Sequence, residues 1–273
     1  MIIGEALKQE RNHLGLTQNE MIQGIIHKSH YSKVERGIEG ISADSLFKIL
    51  FAHHIDVDNF LGLIKNEYIS KDEKKAEELE HRIMVAFNNS DKNEIEKCLQ
   101  EVLKLPGNKI LKYRIVVAVA AFRDQLDELS IDIKENIVDE FTKHDTWLDS
   151  IDALRLFANC MPVFSEEQLN NCIQQVLKRY STNNTSEPMT ERIAIICNNY
   201  LYYCYYYTHI NNKNVENCLY YLKKLDNRSH FMFYRIAGLF FKYMFEGNKK
   251  KAKQIRAQLV NWGYGSRVSS WKI

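Results

Sequence analysis

The chain has 273 residues, 26% of them charged and 45% hydrophobic, and its formal net charge is only +2. This length leaves room for one small and one larger domain, and no apolar run approaches the roughly 18 residues that a membrane span needs. The first residues carry Glu5 and Glu10, which do not suit a secretory leader, so we expect a cytoplasmic protein. The six cysteines are Cys98, Cys160, Cys172, Cys197, Cys204 and Cys218, and no two of them form a C-x-x-C motif. We therefore expect reduced thiols in the core, and we expect no bound metal or cofactor.

The stretch from Thr17 to Gly37 predicts two short helices joined by a tight turn. Thr17 and Glu20 have the spacing of a capping box, which starts the first helix at the following residue. Gly24 ends that helix, and a second one is expected over about 27–36. Apolar residues at helical spacing before and after this stretch extend it to a five-helix domain over 1–65. The arrangement is that of a helix-turn-helix, which places its second helix in a DNA groove.

The second helix of this unit divides its residues between two faces. Tyr31 and Val34 lie three apart and are expected to pack inward. The outward face, which would approach the bases in the groove, then carries Lys28, Ser29, His30 and Lys33. Contacts to the DNA phosphates are predicted to come from Lys8, Gln18 and Arg36. Residues 1–65 hold seven Lys/Arg against eight Asp/Glu, so one such domain should bind DNA weakly. We therefore expect a homodimer that reads two half-sites of a double-stranded operator about one turn apart.

The segments "LKQERNHLGLTQNEMIQGIIHKSHYSKVERG" and "ISADSLFKILFAHHIDVDNFLG" resemble the Cro/repressor-type (XRE-type) helix-turn-helix. The details look most like the Rgg/MutR/GadR regulators, with the PrgX type as second choice, both within the peptide-responsive RRNPP superfamily. The resemblance implies a helical repeat domain that binds a short signalling peptide in quorum sensing. It also implies a structural ion pair of Arg11 with Glu35, which removes Glu35 from the DNA contacts. His27 stands where the family usually has Ser or Thr, so the cap of the recognition helix should be weaker.

Beyond residue 65 the pattern predicts helices throughout. A charged stretch suggests a linker helix over 66–88. The few prolines and the lack of polar/apolar alternation indicate an all-α fold. First helices are expected near residues 74, 109, 147, 189 and 230, and second helices near 91, 131, 165, 214 and 248. This spacing favours a TPR-like α-solenoid of about five hairpins over 89–262, serving peptide binding and dimerisation, with its first helices lining a groove. The tail, 263–273, would cap the last repeat or cover the groove.

Polar and aromatic residues within the predicted first helices are the candidates for a peptide site. Amides can hold an extended peptide backbone, and guanidinium groups can pair with a carboxylate. Each amide could equally bond a neighbouring carbonyl, each tyrosine could serve interhelix packing, and each arginine could form a surface ion pair. The candidates are Arg155, Asn159, Arg192, Asn198, Asn199, Tyr202, Tyr206 and Arg235. Trp147 is expected to be a core anchor instead.

The sequence offers little support for an enzyme. The chain has no P-loop, no G-x-S-x-G and no Gly-rich dinucleotide turn, and His53 and His54 are adjacent rather than spaced as metal ligands on a helix. We therefore expect no enzyme activity. The remaining alternative is an XRE-family repressor or adaptor whose repeats bind a partner protein rather than a peptide.

Overall fold

A computed structural model of the chain describes residues 1–89, 91–143, 145–180 and 185–273. These residues form helices and connecting turns, without a β-strand among them, which confirms the all-α prediction. The chain divides into two compact units, Met1–Val85 and Ala86–Ile273. Within the described ranges, every helix is too short or too polar to cross a membrane.

The first unit contains the five predicted helices of the amino-terminal domain. They are α1 (Ile3–His13), α2 (Gln18–Ile22), α3 (Lys28–Glu35), α4 (Ala43–Ala52) and α5 (Val57–Tyr68). Next in the chain comes α6 (Lys71–Asn88). The core of the unit is formed by fully buried side chains from α1 to α5, among them Leu7, Met21, Tyr31, Ile49 and Phe60.

The start of α2 and the turn that follows it agree with the sequence pattern. The backbone N–H of Glu20 donates to Thr17 Oγ1 at 3.3 Å, and the N–H of Thr17 donates to Glu20 Oε2 at 2.8 Å, which is the predicted capping box. Gln23 and Gly24 then adopt φ values of 44° and 78°, and this left-handed pair ends the helix. At α3 the residue before the helix, His27, makes no side-chain capping bond, as its departure from Ser or Thr predicted.

Close packing of α1 on α3 depends on a glycine. A Cβ atom added at Gly4 would lie 1.8 Å from the carbonyl oxygen of Val34, far inside van der Waals contact. The missing side chain therefore lets the backbones of the two helices approach each other. This approach seats the recognition helix against the rest of the unit.

The second unit consists of α7 followed by four pairs of helices, and the starts of α7 to α15 lie close to the predicted positions. Its helices are α7 (Lys92–Lys104), α8 (Lys109–Phe122), α9 (Ile131–Thr142), α10 (Ile151–Asn159), α11 (Glu166–Tyr180), α12 (Glu187–Tyr203), α13 (Lys213–Lys224), α14 (Met232–Phe245) and α15 (Lys249–Leu259). The first helices α8, α10, α12 and α14 pack on one another in sequence, and we call them the first-helix row. Part of the polar break between α11 and α12 lies outside the described residues.

Aromatic and thiol side chains fill the core of this unit. Trp147 is buried, and its ring lies 5.1 Å from that of Phe141 and 5.2 Å from that of Phe157, so it is the core anchor that was predicted. All six cysteines are buried thiols. Burial raises the pKa of Cys204 to about 11, which keeps this thiol protonated at neutral pH.

The tyrosine-rich segment does not continue as a regular α-helix. After α12 the residues Cys204–Thr208 form a π-helical turn, which ends at His209 with a φ of 55°. A single π turn is a local widening of the helix that shifts the direction of the side chains after it. Residue spacing alone gives no sign of this change.

The tail packs on α14. The ring of Trp271 stacks on that of Phe240 at 4.2 Å, and Val268 is fully buried. Tyr206 Oη donates to the carbonyl oxygen of Lys272 at 2.6 Å. The tail thus covers both α14 and one of the tyrosines predicted for the groove.

Candidate functional site

In the first unit, the ion pair between Arg11 and Glu35 joins α1 to the recognition helix α3. Arg11 Nε donates to Glu35 Oε1 at 2.6 Å, and Arg11 Nη2 donates to Glu35 Oε2 at 3.2 Å. Arg11 Nη1 also donates to the carbonyl oxygen of Leu16 at 2.9 Å. One guanidinium therefore holds α1, the start of the helix-turn-helix and the end of α3 in a fixed relation.

The carboxylate of Glu35 stays charged although it is buried. Burial raises its pKa, but the hydrogen bonds from Arg11 and Gln18 outweigh this effect, and the pKa lies below the ordinary value. Gln18 Nε2 donates to Glu35 Oε2 at 2.8 Å. Gln18, which was predicted to contact a DNA phosphate, thus also takes part in the internal network.

The predicted base contacts lie on the outward face of α3. Lys28, Ser29 and Lys33 are exposed, and His30 is half-buried. His30 Nε2 donates to the carbonyl oxygen of Gly40 at 3.0 Å, and Lys33 Nζ donates to Glu39 Oε1 at 2.6 Å.

The remaining predicted phosphate contacts are Lys8 and Arg36, and both are exposed. Lys8 lies on α1, whereas Arg36 follows α3 and its Nε donates to the carbonyl oxygen of Ser32 at 3.1 Å. A surface that carries exposed ammonium and guanidinium groups on a recognition helix and on the helix packed against it suits a polyanion.

In the second unit, three arginines from consecutive helices of the first-helix row come close together. Arg114 on α8 and Arg155 on α10 both donate through Nη1 to Asp152 Oδ1, each at 3.2 Å. Arg192 on α12 is half-buried, and its Nε is buried without a hydrogen-bond partner. Burial, followed by the charges of Arg155 and Arg114, lowers the pKa of Arg192. We call these three residues the arginine group, and the unbonded Nε of Arg192 suits an anionic acceptor.

The three predicted asparagines differ in what they bind. Asn159 Nδ2 donates to the carbonyl oxygen of Arg155 at 3.0 Å, within its own helix. Asn199 Nδ2 donates to the carbonyl oxygen of Ala158 at 2.8 Å and so ties α12 to α10. For these two residues the structure contains the carbonyl bond that was considered as the alternative to a peptide contact. Asn198 instead has both amide atoms buried without a hydrogen-bond partner.

The predicted tyrosines and Arg235 are placed apart from the arginine group. The ring of Tyr202 lies 4.7 Å from that of Tyr206 and 6.4 Å from that of Phe241 on α14, an aromatic cluster at the far end of α12. Arg235 bonds Asn227 and lines a cavity of about 1,020 Å³ between α13 and α14.

Sequence reasoning missed Arg114 and Asp152. Arg114 lies on α8 just before the apolar run 115–122, and Lys112 is two residues away, so its sequence context does not single it out. It also missed Glu191, whose Oε1 accepts a hydrogen bond from Tyr234 Oη at 2.7 Å across α12 and α14. Arg114 and Asp152 lie on different helices, as do Tyr234 and Glu191, so no spacing within one helix indicates these two contacts.

Comparisons with known proteins agree with this description. Residues 7–56 match a family described as helix-turn-helix. No curated protein matches the chain in sequence. Solved structures match it over nearly its whole length at low sequence identity.

Three of these structures are informative. The Streptococcus dysgalactiae SHP pheromone receptor Rgg2 has a TM-score of 0.74 at 15% identity, covering 99% of this chain and 97% of that chain. A proposed transcriptional regulator of Listeria monocytogenes EGD-e has a TM-score of 0.78 at 20% identity, covering 98% of this chain and 94% of that chain. A bacterial peptide pheromone/receptor complex has a TM-score of 0.70 at 18% identity, covering 98% and 95%. At these identities the likeness establishes the fold, and it is the one that the Rgg and PrgX resemblance implied.

Proposed function

We propose that this protein is a cytoplasmic, non-catalytic transcriptional regulator whose DNA binding is controlled by a short signalling peptide. The helix-turn-helix match over 7–56 supports the DNA-binding part. The peptide-binding part is supported by the fold shared with a pheromone receptor and with a peptide pheromone/receptor complex.

One observation carries the peptide assignment for this chain. Arg192 has a half-buried guanidinium with an unbonded Nε beside two further arginines, and Asp152 accepts a hydrogen bond from both of those. A buried donor without an acceptor is expensive, and a carboxylate is its strongest acceptor. The ligand is therefore a peptide that presents a carboxylate, from an acidic side chain or from its carboxyl terminus, to the first-helix row.

Calorimetry with short peptides encoded near the gene tests this assignment. Replacing Arg192 with Met should weaken binding by about tenfold or more, since a charge-assisted hydrogen bond contributes roughly 1.5–3 kcal/mol. Arg179→Met on α11 is the matched control, because Arg179 pairs with Asp149 on the surface. Blocking the peptide carboxylate should reproduce the loss on the unchanged protein. If no peptide binds but a folded protein binds tightly, the adaptor alternative replaces this proposal.

The DNA-binding part has its own test. Lys28 is exposed at the start of α3, so Lys28→Ala should lower affinity for the protein's own upstream DNA by roughly 1–3 kcal/mol and relax its sequence preference. Lys65→Ala, which removes a cation that pairs with Glu77 at 2.5 Å on the surface, is the control. Equal affinity of the unchanged protein for upstream and unrelated DNA at every salt concentration would contradict a sequence-specific regulator.

The homodimer expected from the weak charge of the first unit belongs to the same proposal. A dimer should protect two half-sites about 34 Å apart, or a multiple of that distance. Light scattering of the DNA complex combined with a footprint checks this, and a single protected half-site bound by a monomer would contradict it.

A further inference from the structure

The turn after α3 folds back over the exposed face of that helix. Gly37 adopts a φ of 69°, which a side chain would disfavour, and the chain then reverses direction. The N–H of Ile38 donates to the carbonyl oxygen of Lys33 at 2.9 Å, and the N–H of Glu39 approaches the same oxygen at 3.5 Å. The backbone of Glu39 is thereby held close to Lys33, in the last turn of α3.

This geometry brings the carboxylate of Glu39 to two of the predicted DNA contacts. Glu39 Oε1 accepts a hydrogen bond from Lys33 Nζ at 2.6 Å, and Glu39 Oε2 lies 3.7 Å from His30 Nε2. The side chains of His30, Lys33 and Glu39 are 38%, 46% and 41% exposed. An ion pair this exposed contributes little to folding stability, so stability does not account for an acidic residue at this place.

A carboxylate oxygen and a phosphate oxygen offer lysine the same charge-assisted hydrogen bond. We propose that Glu39 competes with DNA phosphate for Lys33 and so limits the affinity of the recognition helix for any duplex. Binding exchanges the internal pair for a contact with the nucleic acid and leaves the carboxylate beside the phosphates, which repel it. The inference rests on the proposed DNA binding and adds a residue that the sequence had not placed at the interface.

Fluorescence anisotropy of the full chain with a labelled duplex of unrelated sequence, roughly thirty base pairs long, tests the proposal without knowledge of the operator. Glu39→Gln should bind about three- to tenfold more tightly than the unchanged protein at low salt. The slope of log K against log salt should become steeper by up to about one, because in the unchanged protein the carboxylate released from Lys33 takes up a cation on binding and so offsets one released counterion. Glu67→Gln is the matched control: it makes the same substitution on α5, where Glu67 lies 4.0 Å from the amino terminus, and it should leave both quantities unchanged.

A variant without Lys33 distinguishes competition for that lysine from simple repulsion between the Glu39 carboxylate and the DNA phosphates. In a Lys33→Met protein the gain from Glu39→Gln should shrink to less than half. An undiminished gain, or equal gains from Glu39→Gln and Glu67→Gln, would overturn the proposal. If neither the unchanged protein nor Glu39→Gln binds any duplex, DNA binding itself fails, and this outcome is distinct from binding that Glu39→Gln does not alter.

Discussion

A buried charge in the first unit and a half-buried charge in the second have opposite surroundings. The carboxylate of Glu35, with only 4% of its side chain exposed, accepts hydrogen bonds from Arg11 and Gln18. Burial and the charges of Arg155 and Arg114 lower the pKa of Arg192, and its Nε has no partner among the described residues. The first arrangement is complete within the chain, whereas among the described residues the Nε of Arg192 meets no acceptor.

A buried charge with hydrogen-bond partners and a buried donor without one have different effects on a protein. A compensated charge fixes the relative position of helices, and removing one partner leaves the other stranded. An uncompensated donor destabilises the free protein and is relieved when a ligand supplies the acceptor. We therefore expect the helix-turn-helix to be rigid, and under the proposed function a ligand supplies the acceptor that Arg192 lacks.

The largest expected effect comes from breaking the compensated pair. Arg11→Met should lower the free energy of unfolding of the first unit by about 3 kcal/mol, because it leaves the carboxylate of Glu35 buried and without its main partner. Lys48→Met is the control, since Lys48 and Asp44 form an exposed pair at 2.7 Å whose loss should change stability by less than about 0.5 kcal/mol. Urea unfolding followed by circular dichroism measures both changes.

Acidification gives this prediction a second readout. The pKa of Glu35 is lowered in the folded state, so its stabilising contribution is present above the ordinary carboxyl pKa and is lost as the pH falls through the lowered value. Without Arg11, burial is opposed by fewer hydrogen bonds, so the pKa of Glu35 should rise and protonation should relieve the stranded charge at a higher pH. The difference in free energy of unfolding between the unchanged protein and Arg11→Met should become smaller from about pH 7 to about pH 3. A difference that stays constant with pH would contradict a stabilising pair of Arg11 and Glu35.

A smaller effect is expected from a polar network that is complete inside the second unit. Asn212 caps α13 by accepting hydrogen bonds from the N–H groups of Asn214 and Val215, and its Nδ2 donates to Asn170 Oδ1 at 3.0 Å. The buried Tyr200 also donates to Asn170 Oδ1, at 2.7 Å. Asn212→Ala should therefore lower the free energy of unfolding by about 2 kcal/mol through the lost cap and the weakened network.

The control for this network is the exposed neighbour Asn211, and Asn211→Ala should be nearly neutral. Thermal unfolding of the two variants side by side makes the comparison. Equal midpoints would mean that the network does not stabilise the repeats.

The smallest expected changes in the free energy of unfolding come from substituting the adjacent residues Asn198 and Asn199. Asn198→Leu removes an amide whose buried atoms have no partner and should raise the free energy of unfolding by up to about 1 kcal/mol. Asn199→Leu removes the bond to Ala158 and should lower it by about 1 kcal/mol. If Asn198 holds a peptide, Asn198→Leu should also weaken peptide binding while it stabilises the free protein. Two equal losses of stability would remove Asn198 from the ligand-binding residues.

Local patterns account for much of the fold. Caps such as Thr17 and apolar spacing within each helix act over a few residues, so the helix-turn-helix and the starts of the paired helices could be predicted. The π turn at Cys204–Thr208 could not, because it changes the winding of a helix without a characteristic residue.

The candidate site was less accessible from the sequence. Asn198 and Asn199 are identical and adjacent, yet only one of them meets a carbonyl of α10. The choice depends on which neighbouring helix each side chain faces, and that is decided by tertiary packing. The same holds for Arg114, whose closeness to Arg192 arises only when α8 and α12 take their places on either side of α10.

The burial of the cysteines has a practical consequence. All six lie in the second unit, and the first unit contains none. A thiol reagent in solution therefore reacts only when part of the repeat domain opens, and the rate of labelling measures the frequency of that opening. Because the first unit contributes no signal, the intact chain carries its own selective reporter of repeat-domain dynamics, and a ligand that completes the first-helix row should slow it.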